Sequence, residues 1–368
     1  MTRRVFRGVL TQEFDWVLFW AAAAISFVGL FYLYSATPEK SLSPQNVFYR
    51  QLVWLCIAFL VFWVTLWLDY KFFLHWAYLF YGLNVCLLAL VLLTGRATQL
   101  GAQRWLGVGS FAIQPSEFVK ITLILTLARF LQGRDLSAGL LRILFAVGCL
   151  YALPGILILK QPHLGTTLVL FFMVVLLLYV SGLSPRLLLT SLGLLIVSSP
   201  LGWLLLKSYQ RERLLVFIRP GMDPLGSGYT IIQSRISIGS GALFGKGWLQ
   251  GTQSQLNFLP ERHTDFIFSV IAEEGGFLVA AALILLFLLF LDRGFRIARR
   301  AKSSQAHLTA IGLTSLIAIH ALVNVAMTMG FLPVVGLPLP FISYGGSWLT
   351  SCWLATALLL SISNERDL

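Results

Sequence analysis

Charge is what this chain has least of. Of its 368 residues only 11% are charged, 27 basic and 15 acidic, where a soluble domain carries about a quarter. A soluble globular enzyme, a disordered chain and a nucleic-acid-binding module are excluded on that ground, because each needs a strongly polar or charged surface. Cysteine is equally scarce. Cys56, Cys86, Cys149 and Cys352 each lie within an apolar run and form no C-x-x-C pair, so neither a disulfide framework nor a zinc site is supported. No H-E-x-x-H occurs among the histidines, which removes a membrane zinc protease. No Ser and His stand on neighbouring motifs as a serine membrane protease requires.

What is present is apolar: 58% of the residues are hydrophobic, enough for roughly ten membrane spans of about 20 residues each. The expected fold is therefore an all-α polytopic membrane protein forming a single integral membrane domain over residues 1–368. Apolar runs predict spans near 14–35, 47–68, 72–94, 114–131, 141–159, 164–181, 185–206, 266–291, 308–330 and 346–363. The opening Arg3, Arg4 and Arg7 followed by an apolar run reads as an uncleaved first helix rather than a signal peptide, because similar segments follow throughout the chain.

Basic residues set the orientation. With the N-terminus in the cytoplasm, the inner side collects Arg3, Arg4, Arg7, Lys71, Arg129, Arg134, Arg142, Arg186, Arg293, Arg296, Arg299, Arg300, Lys302 and Arg366. The short outer connections and adjoining helix ends hold Lys40, Arg50, Arg96, Arg104, Lys120 and Lys160. The positive-inside rule then puts both termini in the cytoplasm and one large extracytoplasmic loop, 207–265, between spans seven and eight. The net charge of +12 reads as this topology signal rather than as nucleic-acid affinity. The run Arg293–Lys302 reads as a cytoplasmic anchor, with lipid or partner binding as the alternative.

The 207–265 loop differs from its surroundings, being rich in glycine and in basic residues, Arg213 and Lys246 among them, and long ordered loops tend to be functional. Its run Gly239–Gly251 lacks the P-loop pattern. Closely spaced glycines beside Lys246 would suit an anion such as a diphosphate, or would serve only as tight turns packing the loop. The loop ends in Glu261-Arg262-His263-Thr264-Asp265. Asp265 precedes an apolar helix and so reads either as an N-cap or as a catalytic carboxylate, and the four ionisable residues in five are denser than a cap requires.

Ionisable residues inside spans are costly and are candidates for function. Glu117 and Lys120, three apart, share a helix face as a self-neutralised pair or as the lining of a polar cavity. Of Glu273 and Glu274, adjacent in sequence, only one can face a given cavity. His320 and Asn324, four apart, read as an interhelical hydrogen-bonding pair.

Four segments in register, Gln114–Lys120 (QPSEFVK), the Gly239–Gly251 run, Phe258–Phe268 (FLPERHTDFIF) and Gly336–Ser347 (GLPLPFISYGGS), resemble the shape, elongation, division and sporulation (SEDS) family over nearly the whole chain. Arg262 and the run Pro333–Pro340 resemble its rod-elongation branch more than its division branch. The resemblance implies a multi-pass protein of the cytoplasmic (inner) membrane, a peptidoglycan glycosyltransferase that polymerises lipid II into β-1,4-linked strands at the outer face during cell elongation. It also implies a class B penicillin-binding protein as transpeptidase partner. Asp265 is then the catalytic carboxylate, a general base in an inverting reaction. Glu117 and Lys120 are the cavity pair, with Arg50 and Trp105 matched by motif. Lys246, Arg213 and Glu261 complete the candidate substrate-binding set. No cofactor is demanded; a divalent cation is compatible with the chemistry, but no ligand cluster calls for one. The competing reading is a lipid II flippase. Two positions depart from the family pattern: His163 stands where Asp is usual, and Gly275 stands where a larger apolar residue is usual and is expected to loosen its helix.

Overall fold

A computed structural model describes residues 14–37, 46–94, 96–97, 103–108, 111–134, 139–187, 189–190, 193, 211, 215–217, 219 and 227–365. The chain forms a bundle of apolar helices. They are α1 (Trp16–Ala36), α2 (Val47–Leu68), a short α3 (Tyr70–His75), α4 (Ala77–Thr94), α5 (Pro115–Leu131), α6 (Leu140–Lys160) and α7 (Leu164–Val180). Within the expected 207–265 loop lie α8 (Ser227–Ser240) and a single turn α9 (Thr252–Gln255), and after it come α10 (Ile267–Arg300), α11 (Ser304–Thr328) and α12 (Gly346–Ser363). Seven of these are long and apolar enough to cross a membrane, a setting in which every backbone group must be satisfied within its own segment. The protein is therefore a multi-pass membrane protein, and helices occupy the expected spans except 185–206, most of which lies outside the described residues.

Local chemistry sets several boundaries. The Asp15 carboxylate accepts from Leu18 N at 3.0 Å, Asn46 Oδ1 from Phe48 N at 2.8 Å and Ser303 Oγ from Ala306 N at 3.1 Å, each capping a helix start. Pro115 opens α5 at its first turn, where its missing N–H costs nothing. The expected 72–94 span is divided, because the chain breaks at Trp76 between α3 and α4.

Three features depart from the expected layout. The connection after α4 carries a small antiparallel sheet of β1 (Arg96–Ala97), β2 (Gln103–Val108) and β3 (Phe111–Ile113), with Arg96 opposite Trp105 and Leu106 opposite Ile113. Helix α10 is two helical stretches joined at a kink, and the second continues to Arg300 instead of ending near 291. The loosening expected at Gly275 falls one residue later, at Gly276, whose φ of 71° and ψ of −171° break the helix.

Helix α5 sits at the centre, with nearly all of its side chains buried against α4, α11 and α12. It carries Glu117 and Lys120, and its central place is what allows charges at this depth to be paired rather than lipid-exposed. The outer helices turn Trp20, Trp63, Trp67 and Phe145 outward, as lipid-facing walls do. Close helix contact relies on small residues: a Cβ at Gly346 would fall 2.0 Å from the Trp54 ring.

Candidate active site

Two loops meet at one end of the bundle, 257–266 before α10 and 333–345 between α11 and α12. Ser343 joins them: its hydroxyl donates to Thr264 O at 2.6 Å and accepts from Leu339 N at 2.8 Å, while Tyr344 N donates to His263 O at 2.8 Å. Gln51 of α2 reaches the same place, donating to Ser343 O at 3.2 Å and accepting from Gly345 N at 3.3 Å. Asp265 is half-buried within this junction. It is not the N-cap residue of α10, a position that Phe266 occupies. A Cβ at Gly336 would stand 3.6 Å from Asp265 Oδ2, so the carboxylate lies against a stretch of loop that has no side chain.

Beneath the loops lies the buried pair. Lys120 Nζ is 2.7 Å from Glu117 Oε2, 3.1 Å from His320 Nε2 and 4.0 Å from the centre of the Trp348 ring. The His320 and Trp348 rings stack at 4.0 Å. An ammonium can only donate, so His320 Nε2 accepts, and its proton sits on Nδ1, facing Pro338 O at 3.4 Å. One turn along α11, Asn324 donates to Asp265 O at 2.9 Å and Leu337 O at 2.8 Å. The pair and the carboxylate are thereby joined: Glu117, Lys120, His320, the 337–338 backbone, Asn324 and Asp265 form one continuous network. His320 bonds between helices as expected, to Lys120 of α5, whereas the partners of Asn324 are loop carbonyls.

The glycine-rich segment resolves as packing. Lys246 N and Gly247 N donate to Glu273 O and Glu274 O at 2.9 and 3.0 Å, so these N–H groups are not left to cradle an anion. Beyond the break at Gly276, Phe277 N and Leu278 N donate back to Ala242 O and Leu243 O. The run thus takes up the backbone groups that the break frees. Lys246 Nζ bonds Glu273 Oε1 at 2.7 Å and Thr252 Oγ1 at 2.8 Å, and Ser237 holds the other Glu273 oxygen at 3.1 Å. The neighbouring Glu274 faces another way and accepts from Ser35 Oγ at 2.5 Å.

The other candidates divide. Arg50 is half-exposed in the first turn of α2, next to Gln51. Trp105 is half-buried on β2, and its neighbour Arg104 ties the sheet to Gln161 O at 2.9 Å and Pro162 O at 2.6 Å. Glu261 is exposed and accepts from Thr264 Oγ1 at 2.9 Å. Arg262 is structural, donating to Ala36 O at 2.8 Å and Ser254 O at 2.5 Å, and burial lowers its pKa. Burial also lowers the pKa of His263. His163 stands at the N-cap of α7 with Nδ1 against Thr166 Oγ1. Arg213 lies outside the described residues. Among the described residues no three His, Cys, Asp or Glu come together as a metal would require. Sequence reasoning missed Gln51, Ser343 and Trp348 as parts of the site; its only signal was their place beside Arg50 and within or next to the Gly336–Ser347 motif.

Comparison with known proteins agrees across nearly the full length. The family model for FtsW, RodA and SpoVE, described as cell cycle protein, matches residues 15–368. The peptidoglycan glycosyltransferase MrdB of Escherichia coli K12 is 44% identical over 294 residues, 80% of this chain and 79% of that one. The peptidoglycan glycosyltransferase RodA of Treponema pallidum is 33% identical, covering 98% of this chain and 99% of that protein. The crystal structure of RodA from Thermus thermophilus matches with a TM-score of 0.72 at 32% identity, over 96% of this chain and 98% of that one. A chain solved in work on the structural coordination of polymerization and crosslinking by a peptidoglycan synthase complex matches with a TM-score of 0.81 at 34% identity, over 97% and 100%.

Proposed function

This chain belongs to the FtsW, RodA and SpoVE family and is a peptidoglycan glycosyltransferase; from that premise we propose that it polymerises lipid II with Asp265 as general base. The observation that carries this reading is the setting of Asp265. Its carboxylate lies beside Gly336, and its backbone is held through Asn324, with Ser343 holding the preceding carbonyl.

The 4-hydroxyl of an acceptor sugar attacks the anomeric carbon of the donor. The bond from that carbon to the diphosphate breaks, the lipid diphosphate leaves, and Asp265 takes the hydroxyl proton, giving an inverted β-linkage. A diphosphate is already a good leaving group, so one carboxylate suffices where glycoside hydrolysis uses two. Positioned general-base catalysis is typically worth about 10²–10⁴-fold. The leaving group needs a cation. Lys120 is paired with Glu117 and Lys246 with Glu273; Arg50, beside the Gln51 that touches the Ser343–Gly345 backbone, is the cation proposed for that role.

The active face is the outer face of the cytoplasmic membrane, and the partner is a class B penicillin-binding protein; the likeness to a chain from a peptidoglycan synthase complex supports that pairing. Transport is the weaker reading. Past Lys120, α5 continues through buried Ile121, Leu123, Ile124, Leu125 and Leu127, with Thr122 and Thr126 among them and no ionisable side chain before Arg129 in its last turn. The test is lipid II polymerisation by the purified protein with its cognate transpeptidase, comparing wild type with Asp265→Ala at matched thermal stability. Chains from the wild type and none from the variant are expected. Normal chains from Asp265→Ala would remove it as the base, and transfer of lipid II across vesicles without polymer would make the protein a transporter.

A further inference from the structure

The turn at 242–249, between α8 and α9, wraps the break in α10 and points large apolar side chains outward. Phe244 is 79% exposed and Leu243 57%. Beside them stand Phe277 and Leu278, the first residues of α10 past the break, which are exposed as well and whose N–H groups donate to Ala242 O and Leu243 O at 2.9 and 3.2 Å. Further along α10 the exposed apolar stripe continues through Leu285 and Leu288. An ion pair fixes how deep the turn lies. Asp15, which caps α1, and Arg293 of α10 are bonded at 2.9 Å, so both helices can be counted from one level. From Arg293 back to Phe277, and from Asp15 on to Phe31, each helix rises about 24 Å at 1.5 Å per residue. The Trp248 ring stacks on that of Phe31 at 4.6 Å, and its Nε1 donates to Phe31 O at 3.3 Å, so both counts end at the same turn. Charged groups belong at or outside the edge of the hydrocarbon. Because that layer is about 30 Å thick, the turn falls at least about 6 Å inside its opposite edge, and tilt of either helix, by shortening the rise, places it deeper.

We propose that the turn at 242–249 is inserted in the bilayer leaflet on the Asp265 side, with Leu243 and Phe244 among the acyl chains and Trp248 closing the gap to α1. Residues 267–276 of α10 are buried, so at this level the lipid meets the turn in place of α10. Non-helical backbone at such depth must be paired within the protein, and it is. Besides the two carbonyls already named, Gly245 N donates to Gly241 O at 2.7 Å, and Lys246 N and Gly247 N donate to Glu273 O and Glu274 O. Lys246, the only charged residue of the turn, is bonded to the buried Glu273 at 2.7 Å. The turn thereby continues the lipid-facing stripe of α10 across its break, inside a stretch whose composition places it outside the membrane.

The test is spin-label accessibility in the full chain, purified alone and reconstituted in phosphatidylcholine nanodiscs, with the exposed Cys56, Cys86 and Cys149 replaced by Ala. Labels are attached at Phe244→Cys and, as an independent second position, Leu243→Cys. Leu285→Cys serves as the lipid-facing reference and Glu261→Cys as the hydrated one. All four positions are exposed, so melting should match that of the cysteine-replaced parent. Labels at 243 and 244 should be relaxed more by oxygen than by a water-soluble nickel chelate, as at 285 but at shallower depth, and the order should reverse at 261. Stronger relaxation by the chelate at 243 and 244 would put the turn in water and overturn the proposal. Weak relaxation by both reagents would overturn it as well, because protein, such as a second copy of the chain, would then cover the turn in place of lipid.

Discussion

The Asn324 amide donates to the Asp265 carbonyl at 2.9 Å and to the Leu337 carbonyl at 2.8 Å, so one fully buried side chain fixes the carboxylate-bearing loop to the loop it faces. Removing a buried donor leaves two carbonyls unpaired, at about 1–3 kcal/mol for each group left unsatisfied. Asn324→Asp keeps the shape but cannot donate, so it should lower the polymerisation rate as much as Asn324→Ala, by about 10–100-fold at 1.4 kcal/mol per decade. Rates and melting temperatures measured side by side decide the matter. An active Asn324→Asp would mean that the amide does not position Asp265.

The Glu117–Lys120 pair separates a structural from a catalytic role. Lys120→Met leaves a buried carboxylate without its partner, a change that costs about 3–5 kcal/mol, whereas replacing both charges is often neutral. Thermal unfolding should therefore show Lys120→Met strongly destabilised and Glu117→Gln/Lys120→Met close to wild type. Because the pair reaches Asp265 through His320 and Asn324, polymerisation should remain lost in the double variant even as stability returns. Recovery of both together would reduce the pair to a structural one.

The spans could be read from the sequence because hydropathy over about 20 residues is a local property, and Asp265, Glu117 and Lys120 stood out because ionisable groups are rare in such a chain. The partners of these residues were not legible. Asn324 lies 59 residues from Asp265, and Lys246 lies 27 from Glu273, so the bonds depend on how helices pack rather than on spacing. The glycine run shows the same limit. Its composition suits an anion cradle and a packed turn equally, and only the broken backbone of α10 against it decides for packing. The small sheet at 96–113 was hidden for another reason: its strands are of two, six and three residues, too short for an alternating pattern to register.

Gly276 should be the least replaceable glycine of α10. With φ 71° and ψ −171° it occupies a region essentially reserved for glycine, and a Cβ there would fall 2.2 Å from Gly245 N. Backbone strain of about 1–3 kcal/mol and overpacking of about 1–3 kcal/mol both oppose Gly276→Ala. At Gly275 a Cβ would meet side-chain atoms only, the end of Tyr32 at 2.5 Å and Val279 Cβ at 2.7 Å, rather than backbone, and the φ is not of the kind reserved for glycine. Melting temperatures should fall well below wild type for Gly276→Ala and much less for Gly275→Ala. The reverse order would place the break, and the register of the 241–247 loop, incorrectly.

His263 gives stability a dependence on pH. Burial, and secondarily the Arg262 charge, lower its pKa below the ordinary 6.5, with Glu261 opposing. Between 6.5 and the lowered folded value, the unfolded chain binds a proton that the folded protein refuses. Stability is therefore full above about pH 6.5 and falls as pH drops through that window, by no more than about 1.4 kcal/mol per pH unit for one proton. Melting followed from pH 7.5 to 5 should show this decline in the wild type and a shallower one in His263→Gln, since Gln cannot take up the proton. Superimposable profiles would show that His263 is not the group responsible. The sign also has a structural consequence. Protonation is resisted at the residue whose backbone carbonyl receives Tyr344 N at 2.8 Å, so mild acid should loosen the junction that holds Asp265, and polymerisation should decline over the same pH window as stability.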